Sequence, residues 1–287
     1  ITLSFFHGPE SRLERLCSAF GLDIFGVQHL ERRINDGKTD NLTCPYIDLP
    51  PDFSAYLATL SANARQKLRR LLRQLDEDAD LKVTRSRPET YHQDASILAE
   101  LWFLQYAEQK GPKRAARLKA QFKEVITVGL ANGIIHLVVL WRGGKPIAAQ
   151  ANYIDLVKRQ ALFHVGGRDD TVRDLASGLL LHAHCIRWSI ANGLTRYDFT
   201  LGDEPYKYSF GVSDRRISCV EIFTKSGENA TGRLDETCRD DVAELIRRYA
   251  ARGRSADART AAQQALAVWP DFASTVDVEA LISKASG

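Results

Sequence analysis

The chain has 287 residues, of which 44% are hydrophobic and 26% are charged. This length and composition suffice for one large hydrophobic core, or for a main domain with an appendage. The formal net charge is only +3, so the charge balance argues against a nucleic-acid partner. No apolar run approaches the roughly 18 residues that span a bilayer. We therefore expect a globular protein without a membrane span.

The cysteines argue against both a disulfide framework and a zinc site. They are odd in number, widely spaced and without a C-x-x-C pair: Cys17, Cys44, Cys185, Cys219 and Cys238. His182 and His184 are two apart on a predicted helix, so their side chains point about 200° apart and do not hold one ion together. We predict no metal cofactor, and a reducing compartment, the cytoplasm.

The first part of the chain, residues 1–50, alternates strand, helix and loop patterns. An apolar strand, ITLSFF, precedes a helix near SRLERLCSAFG and a polar loop, RINDGKTDNLTCP. Two prolines then end an extended segment, and Asp52 behind them can cap a helix.

Two long helical regions are predicted after Asp52. In the first, apolar residues recur every three or four positions and predict one buried stripe: Leu57, Leu60, Ala64, Leu68, Leu71 and Leu75. Arg65, Arg69 and Arg73 lie on another side, where the lack of interleaved aromatic residues favours a solvated face over a track for RNA. The second region, about 96–130, carries Leu98, Leu101, Trp102 and Phe122.

Three strand-like runs then replace the helical pattern: GIIHLVVLW, KPIAAQANYI and RQALFHVGG. The short turns RGG and DLVK separate them, so we expect antiparallel neighbours. A helix over about 179–192 follows and is closed by Gly193. A strand over 194–200 and a last strand, ISCVEIFTK, come next. Helices, a meander, a helix and further strands together predict a mixed α/β sheet.

The C-terminal part differs in composition from about Gly232 onward. It reads as two helices joined by a Gly-Arg-Ser turn, and the second helix resembles a tetratricopeptide unit. One such unit does not bury its own face, because arrays need roughly three or more. We expect a helical hairpin that either continues an array or packs on the main domain, and that offers a surface for a protein partner.

The loop before the helix at 179–192 has the composition of a phosphate-binding segment. Small residues let backbone N–H groups approach a ligand closely, and a helix N-terminus adds a partial positive charge. The segment, with the first helical residue, is Arg173, Asp174, Leu175, Ala176, Ser177, Gly178 and Leu179. We predict that it binds a pyrophosphate.

This loop resembles the acyl-CoA pyrophosphate loop of the GNAT acetyltransferases, Q/R-x-x-G-x-G/A. Arg173 and Gly178 match that pattern, while Ala176 stands where a glycine is usual. The larger resemblance is to GNAT-like proteins typified by the cellulose-biosynthesis protein CelD, akin to the FemAB transferases, and it covers about residues 45–225. Three stretches carry it: PYIDLPPDFSAYLATLSANARQKLRRLLRQL, VRDLASGLLLHAHCIRWSIANGLTRYDF and GDEPYKYSFG.

The resemblance implies a GNAT-like fold, with a mixed, mostly antiparallel sheet that is flanked by helices and splayed open beside ALFHVGG. It implies three parts: residues 1–50 as the remnant of an upstream GNAT-like half, 51–226 as the acyltransferase domain, and 232–287 as a helical tail. It further implies an N-acyltransferase that uses acetyl-CoA or another acyl-CoA, held in the split. The acceptor is then an amine of a small molecule or a sugar.

In such a fold, the segment after the strand TRYDFT faces the acyl thioester. Acyl transfer needs one group that takes a proton from the amine and another that returns a proton to the thiolate. Asp203 and Glu204 are the candidates for the first task, and Tyr206 and Tyr208 for the second. GDEP is also an ordinary turn sequence, and the tyrosines could instead pack at a sheet edge.

Other residues are expected to bind the donor and the acceptor. Lys207, Gln150 and Tyr153 are assigned to the substrate, and Lys207 could instead steady the carboxylates. Backbone N–H groups at His164, Val165 and Gly166 would polarise the thioester carbonyl. The side chain of His164 is equally well read as a buried core histidine.

Two alternatives stay open at this point. A FemAB-like aminoacyl transferase would use charged tRNA, and it would need a basic channel much wider than one helix face. A non-catalytic GNAT-like module would bind a partner and use its helical tail as an adaptor. Binding of CoA separates these alternatives from an acyl-CoA-dependent enzyme.

Overall fold

The computed structural model describes residues 2–6, 25–224 and 239–274. The helix predicted near SRLERLCSAFG, and Cys17 and Cys238, lie outside the described residues. The chain forms two compact units, which we describe separately. The main unit is Arg32–Ile217, and the second unit combines Ile1–Glu31 with Ser218–Gly287.

The secondary structure is described here in chain order. The strands are β1 (Thr2–Phe6), β2 (Phe25–His29), β3 (Arg33–Ile34), β4 (Thr39–Asp40), β5 (Thr43–Asp48), β6 (Leu81–Arg85), β7 (Ile135–Arg142), β8 (Lys145–Asp155), β9 (Gln160–Arg168), β10 (Arg196–Asp198), β11 (Ser213–Arg216) and β12 (Ser218–Thr224). The α-helices are α1 (Phe53–Thr59), α2 (Ala62–Glu77), α3 (Tyr91–Lys110), α4 (Pro112–Ala131), α5 (Ser177–Ala191), α6 (Arg239–Ala251) and α7 (Ser255–Val268). Short 3₁₀ turns span Lys207–Phe210 and Pro270–Ser274.

A seven-stranded sheet forms the centre of the main unit, in the order β11-β5-β10-β9-β8-β7-β6. Every neighbouring pair is antiparallel except β9 and β10, which are parallel. The predicted meander is therefore confirmed as β7-β8-β9, and the mixed, mostly antiparallel sheet flanked by helices is confirmed as well. Strand β5 pairs in this same sheet, although it precedes the predicted boundary at residue 51. The division into residues 1–50, 51–226 and 232–287 stays a prediction.

The first predicted helical region is divided into two helices. Asp52 caps α1 by accepting a hydrogen bond from the Ala55 N–H at 2.8 Å, as its sequence position predicted. The chain then turns extended at Leu60, and Ser61 caps α2 by accepting from the Ala64 N–H. The predicted stripe still forms one buried surface, because its residues from both helices pack in one core.

The second predicted region is also two helices rather than one. Gly111 has a φ of +80°, a value that side chains other than glycine rarely adopt, and it separates α3 from α4. Pro112 then starts α4, where its missing N–H is not needed within the helix. The prediction of one uninterrupted helical stretch was therefore wrong at this Gly-Pro step.

Helices cover both faces of the sheet. One core contains residues of α1, α2 and α5, among them Leu68 and Leu180, packed with Leu140 of β7. The other core joins α3 and α4 to the sheet through Leu98, Ile126 and Leu137. Fully burying an aliphatic side chain of this kind contributes roughly 1.5–3 kcal/mol.

The sheet opens between β9 and β10. Their parallel pairing ends at Leu162 opposite Asp198, whereas β9 continues to Arg168 beside β8. Thr200, with a φ of +57°, redirects the chain there, and its hydroxyl donates to the Phe163 carbonyl at 3.0 Å. The splayed sheet predicted beside ALFHVGG is therefore present.

The second unit contains a three-stranded sheet, in the order β1-β12-β2, and the predicted hairpin of α6 and α7. Gly253, with a φ of +69°, lies in the turn between these helices. The hairpin has a small core of its own, which includes Ile246, Ala262 and Phe272.

Candidate functional site

A cavity of about 350 Å³ lies at the open end of the sheet in the main unit. Strands β8 and β9, helices α3 and α5, and the GDEPYKY segment all contribute to its wall. The lining residues are Gln105, Tyr106, Ala148, Ala149, Gln150, Phe163, Gly166, Gly167, Arg168, Gly178, Leu179, Leu181, His182 and Tyr206. This volume lies in the range of small-molecule sites.

The first turn of α5 opens onto this cavity. Gly178 and Leu179 line it, and the first backbone hydrogen bond into the helix runs from the Leu180 N–H to the Ala176 carbonyl at 3.0 Å. The N–H groups of a first helical turn have no carbonyl partner within the helix and carry a partial positive charge. A Cβ on Gly178 would lie 3.6 Å from a guanidinium nitrogen of Arg168. Backbone donors and a cation therefore meet at this end of the cavity.

The other residues of the predicted pyrophosphate loop do not line the cavity. Arg173 is exposed, and Leu175 is buried in the core. Asp174 accepts hydrogen bonds from Arg142 at 2.9 and 3.0 Å, and this contact lowers the pKa of the Asp174 carboxyl. Ala176 precedes the helix, and Ser177 is its buried first residue. Of the predicted loop, the helical residues Gly178 and Leu179 reach the cavity.

In the GDEPYKY segment, Tyr206 lines the cavity. Its ring stacks on that of His182 with 5.6 Å between centroids. About a third of Tyr206 is exposed (36%), and the rest packs against neighbours such as His182. This burial, reinforced by the nearby charge of Glu204, raises the pKa of Tyr206 above its ordinary value. The phenol is therefore protonated at neutral pH.

The remaining polar residues of GDEPYKY bind one another or neighbouring strands. Lys207 is only 2% exposed, and its Nζ donates to the carbonyls of Leu201 and Gly202 at 2.7 and 2.8 Å. The same Nζ forms an ion pair with Glu204 at 2.9 Å. Burial lowers the pKa of Lys207, and Glu204 partly offsets that effect.

Asp203 and Tyr208 also bind groups outside the cavity wall. Asp203 accepts from the Asp40 N–H at 2.7 Å. Tyr208 donates to the Asp214 carboxylate at 3.0 Å, and burial together with this bond raises the pKa of Tyr208 to about 12. The predicted catalytic residues Asp203, Glu204 and Tyr208 are thus not among the lining residues.

Of the residues predicted to bind the thioester carbonyl or the substrate, some line the cavity and others do not. Gly166 and Gln150 line the cavity. Val165 is buried in the core beneath α3 and α4. His164 packs its ring 4.6 Å from that of Tyr153, and burial lowers the pKa of His164. His164 and Tyr153 belong to an aromatic cluster, in which His164 is half-buried.

Sequence reasoning overlooked His182 as a site residue. It lies one turn after Gly178 on the same helix, and residues four apart share a face. That spacing was available in the sequence, but His182 was weighed there only as a metal ligand beside His184. Phe163, Arg168 and the two α3 residues Gln105 and Tyr106 reach the cavity only through the fold.

Metal and membrane features were sought over the part of the chain that the structure describes. There, no group of three or more His, Cys, Asp or Glu side chains is placed to hold a metal ion. Within the same residues, no helix combines the length and the apolar character needed to cross a bilayer. Cys44 and Cys185 are buried free thiols, and Cys219 is buried as well.

The split sheet and the cavity beside a helix N-terminus define a GNAT-type α/β fold. Residues 62–208, half of the chain, match the family described as the acetyltransferase (GNAT) domain, and the chain belongs to this family. The predictions of GNAT-superfamily membership and of the acyltransferase class are thereby confirmed. No curated protein matches the chain.

Several solved structures are similar to this chain at low sequence identity. A conserved protein of unknown function from Bacteroides thetaiotaomicron VPI-5482 is 15% identical with a TM-score of 0.47, over 74% of this chain and 66% of that one. FemX is 12% identical with a TM-score of 0.49, over 74% and 68%. L-PGS from Bacillus licheniformis is 11% identical with a TM-score of 0.43, over 72% and 63%. The chain thus spans about two thirds of the length of these structures.

Proposed function

We propose that the main unit transfers an acyl group from acyl-CoA to an amine of a small molecule or a sugar, as a CelD-like member of its family. The observation that carries this proposal is the first turn of α5 opening onto the cavity where β9 leaves β10. The pyrophosphate would bind the N–H groups of Gly178 and Leu179, with Arg168 beside it. A helix N-terminus is a general binding site for such anions.

The acyl thioester would lie along the unpaired edge of β9. Beyond Leu162 this edge has no partner strand among the described residues, while the opposite edge still pairs with β8. Unpaired strand N–H groups are fixed donors, and donors aimed at a thioester carbonyl stabilise the oxyanion that forms on amine attack. Of the residues 164–166 predicted to polarise the carbonyl, Gly166 lines the cavity, which supports that role for its backbone.

The wall is mainly apolar and carries a few polar groups, which fits a small acceptor fixed by a few hydrogen bonds. Gln105, Gln150 and Tyr106 present neutral polar side chains, and Arg168 is the only charged side chain among the lining residues. Tyr206 would donate its phenolic proton to the departing thiolate. The buried thiols Cys44 and Cys185 suit a reducing compartment, and the cytoplasm stays part of the proposal.

Calorimetric titration with CoA and with acetyl-CoA tests the donor. The variant Gly178→Asp adds bulk and negative charge at the proposed phosphate site, so we expect at least tenfold weaker CoA binding, about 1.4 kcal/mol. The matched control is Ala116→Asp, which adds similar bulk and charge at an exposed helical position of α4 that does not line the cavity.

Equal CoA affinity in wild type and Gly178→Asp would remove α5 from the site. A folded wild-type protein that binds neither CoA nor acetyl-CoA would contradict the proposal. The remaining possibilities would then be aminoacyl transfer from charged tRNA and a non-catalytic binding module.

A further inference from the structure

A buried hydrogen-bond network supports the cavity wall behind α5. The Tyr197 hydroxyl lies 2.9 Å from Nδ1 of His182 and accepts from Nε2 of Gln150 at 2.8 Å. It also donates to Oδ1 of Asn152 at 3.1 Å. Tyr197 is fully buried, whereas Gln150 and His182 line the cavity. The network thus links a buried phenol to the cavity surface through two side chains.

The donors in this network determine the tautomer of His182. Asn152 directs its Nδ2 to the sulfur of Cys185 at 3.4 Å, so its Oδ1 faces Tyr197 and Gln150. Tyr197 has one hydroxyl proton, and Oδ1 of Asn152 receives it. With that proton on Asn152, Nδ1 of His182 donates to the Tyr197 oxygen, and Nε2 carries the lone pair.

Packing fixes the orientation of the His182 ring. Its centroid lies 4.7 Å from that of Phe163 and 5.0 Å from that of Phe199, and Tyr206 stacks on it. Among the hydrogen bonds of the described residues, Nε2 of His182 takes part in none. Burial, with a smaller effect of the Lys207 charge, lowers the pKa of His182 to about 3. The imidazole is therefore neutral at pH 7, and the lone pair of Nε2 is unprotonated.

We propose that His182 is the catalytic group that accepts the proton of the attacking amine, and that Tyr197, Gln150 and Asn152 are its positioning residues. This inference rests on the proposed acyl transfer. The amine nitrogen bonds to the thioester carbon, and the positively charged nitrogen of that adduct loses a proton to Nε2. The low pKa makes His182 a weak base, so the proton stays on Nε2 only briefly before it is passed on.

The second half of the step returns the proton. The C–S bond breaks, and the sulfur takes the phenolic proton of Tyr206. The imidazolium of His182 then returns its proton to the Tyr206 oxygen, directly or through water. One proton has moved from nitrogen to sulfur, and both side chains regain their initial states. Burial disfavours the imidazolium and so favours this return.

Turnover of acetyl-CoA with hydroxylamine as the amine probe tests the assignment. The variant His182→Asn keeps a donor near the Nδ1 position and lacks Nε2, so the Tyr197 contact is retained. We expect kcat to fall by about 10²- to 10⁴-fold, with CoA affinity in calorimetry close to that of wild type. His184→Asn is the matched control, because His184 lies on the same helix but does not line the cavity.

Nitrogen NMR of the histidine rings gives a readout that needs no acceptor. We expect Nδ1 of His182 to carry the proton in wild type, and Tyr197→Phe to mix the two tautomers and lower kcat while the KM for acetyl-CoA stays unchanged. A proton on Nε2 in wild type would overturn the inference. Undiminished turnover in His182→Asn with intact CoA binding would overturn it alone, whereas a wild type that binds no CoA would overturn the proposed function as well.

Discussion

The GDEPYKY segment and the first two turns of α5 use their residues in opposite ways. In GDEPYKY, Lys207 holds Glu204 and two backbone carbonyls, and Asp203 binds the Asp40 N–H. Its most chemically conspicuous residues therefore maintain the shape of the segment. The start of α5 is mostly small and aliphatic, yet Gly178 and His182 both line the cavity.

The difference shows that reactive residue types do not by themselves mark a site. A charged group that is already hydrogen-bonded inside the protein has few free donors or acceptors for a ligand. A buried charge needs such internal hydrogen bonds. A plain helical turn offers backbone donors without any reactive side chain. Tyr206 is the residue of GDEPYKY that joins the cavity wall, where it meets His182 of α5.

The largest expected effect distinguishes the two tyrosines of GDEPYKY, of which Tyr206 lines the cavity and Tyr208 does not. Tyr206→Phe removes the phenol proposed to protonate the thiolate, so we expect kcat with acetyl-CoA to fall by about 10²- to 10⁴-fold. Tyr208→Phe is the matched control, since its hydroxyl binds Asp214 outside the cavity wall and turnover should change little. Thiol release measures both variants. A larger loss in Tyr208→Phe than in Tyr206→Phe would reverse the assignment.

A smaller effect is expected on stability when Lys207 is replaced. Lys207→Met leaves Glu204 and two carbonyls without the ammonium, so we expect the free energy of unfolding to drop by about 3 kcal/mol. Urea denaturation measures this loss. Adding Glu204→Gln should recover part of it, because the uncompensated carboxylate is gone. A Lys207→Met protein with wild-type stability but abolished turnover would make Lys207 a site residue instead.

The smallest expected effect concerns the C-terminal part of α5, away from the cavity wall. There the ring of His136 stacks on that of Trp188 with 3.7 Å between centroids. Burial, with the charges of Arg85 and His184, lowers the pKa of His136 from 6.5 to about 3. Below pH 6.5 the unfolded chain binds the proton that the folded one excludes, so stability falls as the pH drops from about 6.5 toward 3.

His136→Phe should remove this contribution while keeping the aromatic stack. The wild type loses unfolding free energy between pH 7.5 and pH 5, and we expect the variant to lose about 2 kcal/mol less. This figure follows from the roughly 1.5 units between the ordinary pKa of 6.5 and pH 5, at about 1.4 kcal/mol per unit. CoA affinity at pH 7.5 should not change, because His136 does not line the cavity. Identical pH dependence in the variant and wild type would show that His136 is not the acid-sensitive group.

Local sequence patterns predicted the elements whose signals are local. The meander followed from short turns between apolar runs, and the cap at Asp52 from its place behind two prolines. The break at Ser61 was missed because the apolar repeat continues across it, whereas the Gly-Pro step at Gly111 was a local breaker signal that was overlooked. The pairing of β5 with β10 joins residues about 150 positions apart, and no local pattern encodes it.

The candidate site was predictable where a helix start or a turn identifies it. Gly178 and Tyr206 were both singled out from the sequence, and both line the cavity. The partners of His182 were not predictable, because Gln150 and Tyr197 come from two strands whose alignment depends on the whole sheet. The sequence shows the polar residues but not which of them share a network.

Gly167 of β9 is where α3 rests directly on the sheet. A Cβ at this position would collide with the backbone of Leu101 and Trp102, lying 2.7 Å from the Leu101 carbonyl carbon. One turn further along α3, Gln105 and Tyr106 form part of the cavity wall. The absence of a side chain at residue 167 thus lets α3 lie close to the sheet, and this distance limits the width of the cavity. A larger residue at 167 would push α3 away from the sheet and move Gln105 and Tyr106 of the cavity wall with it.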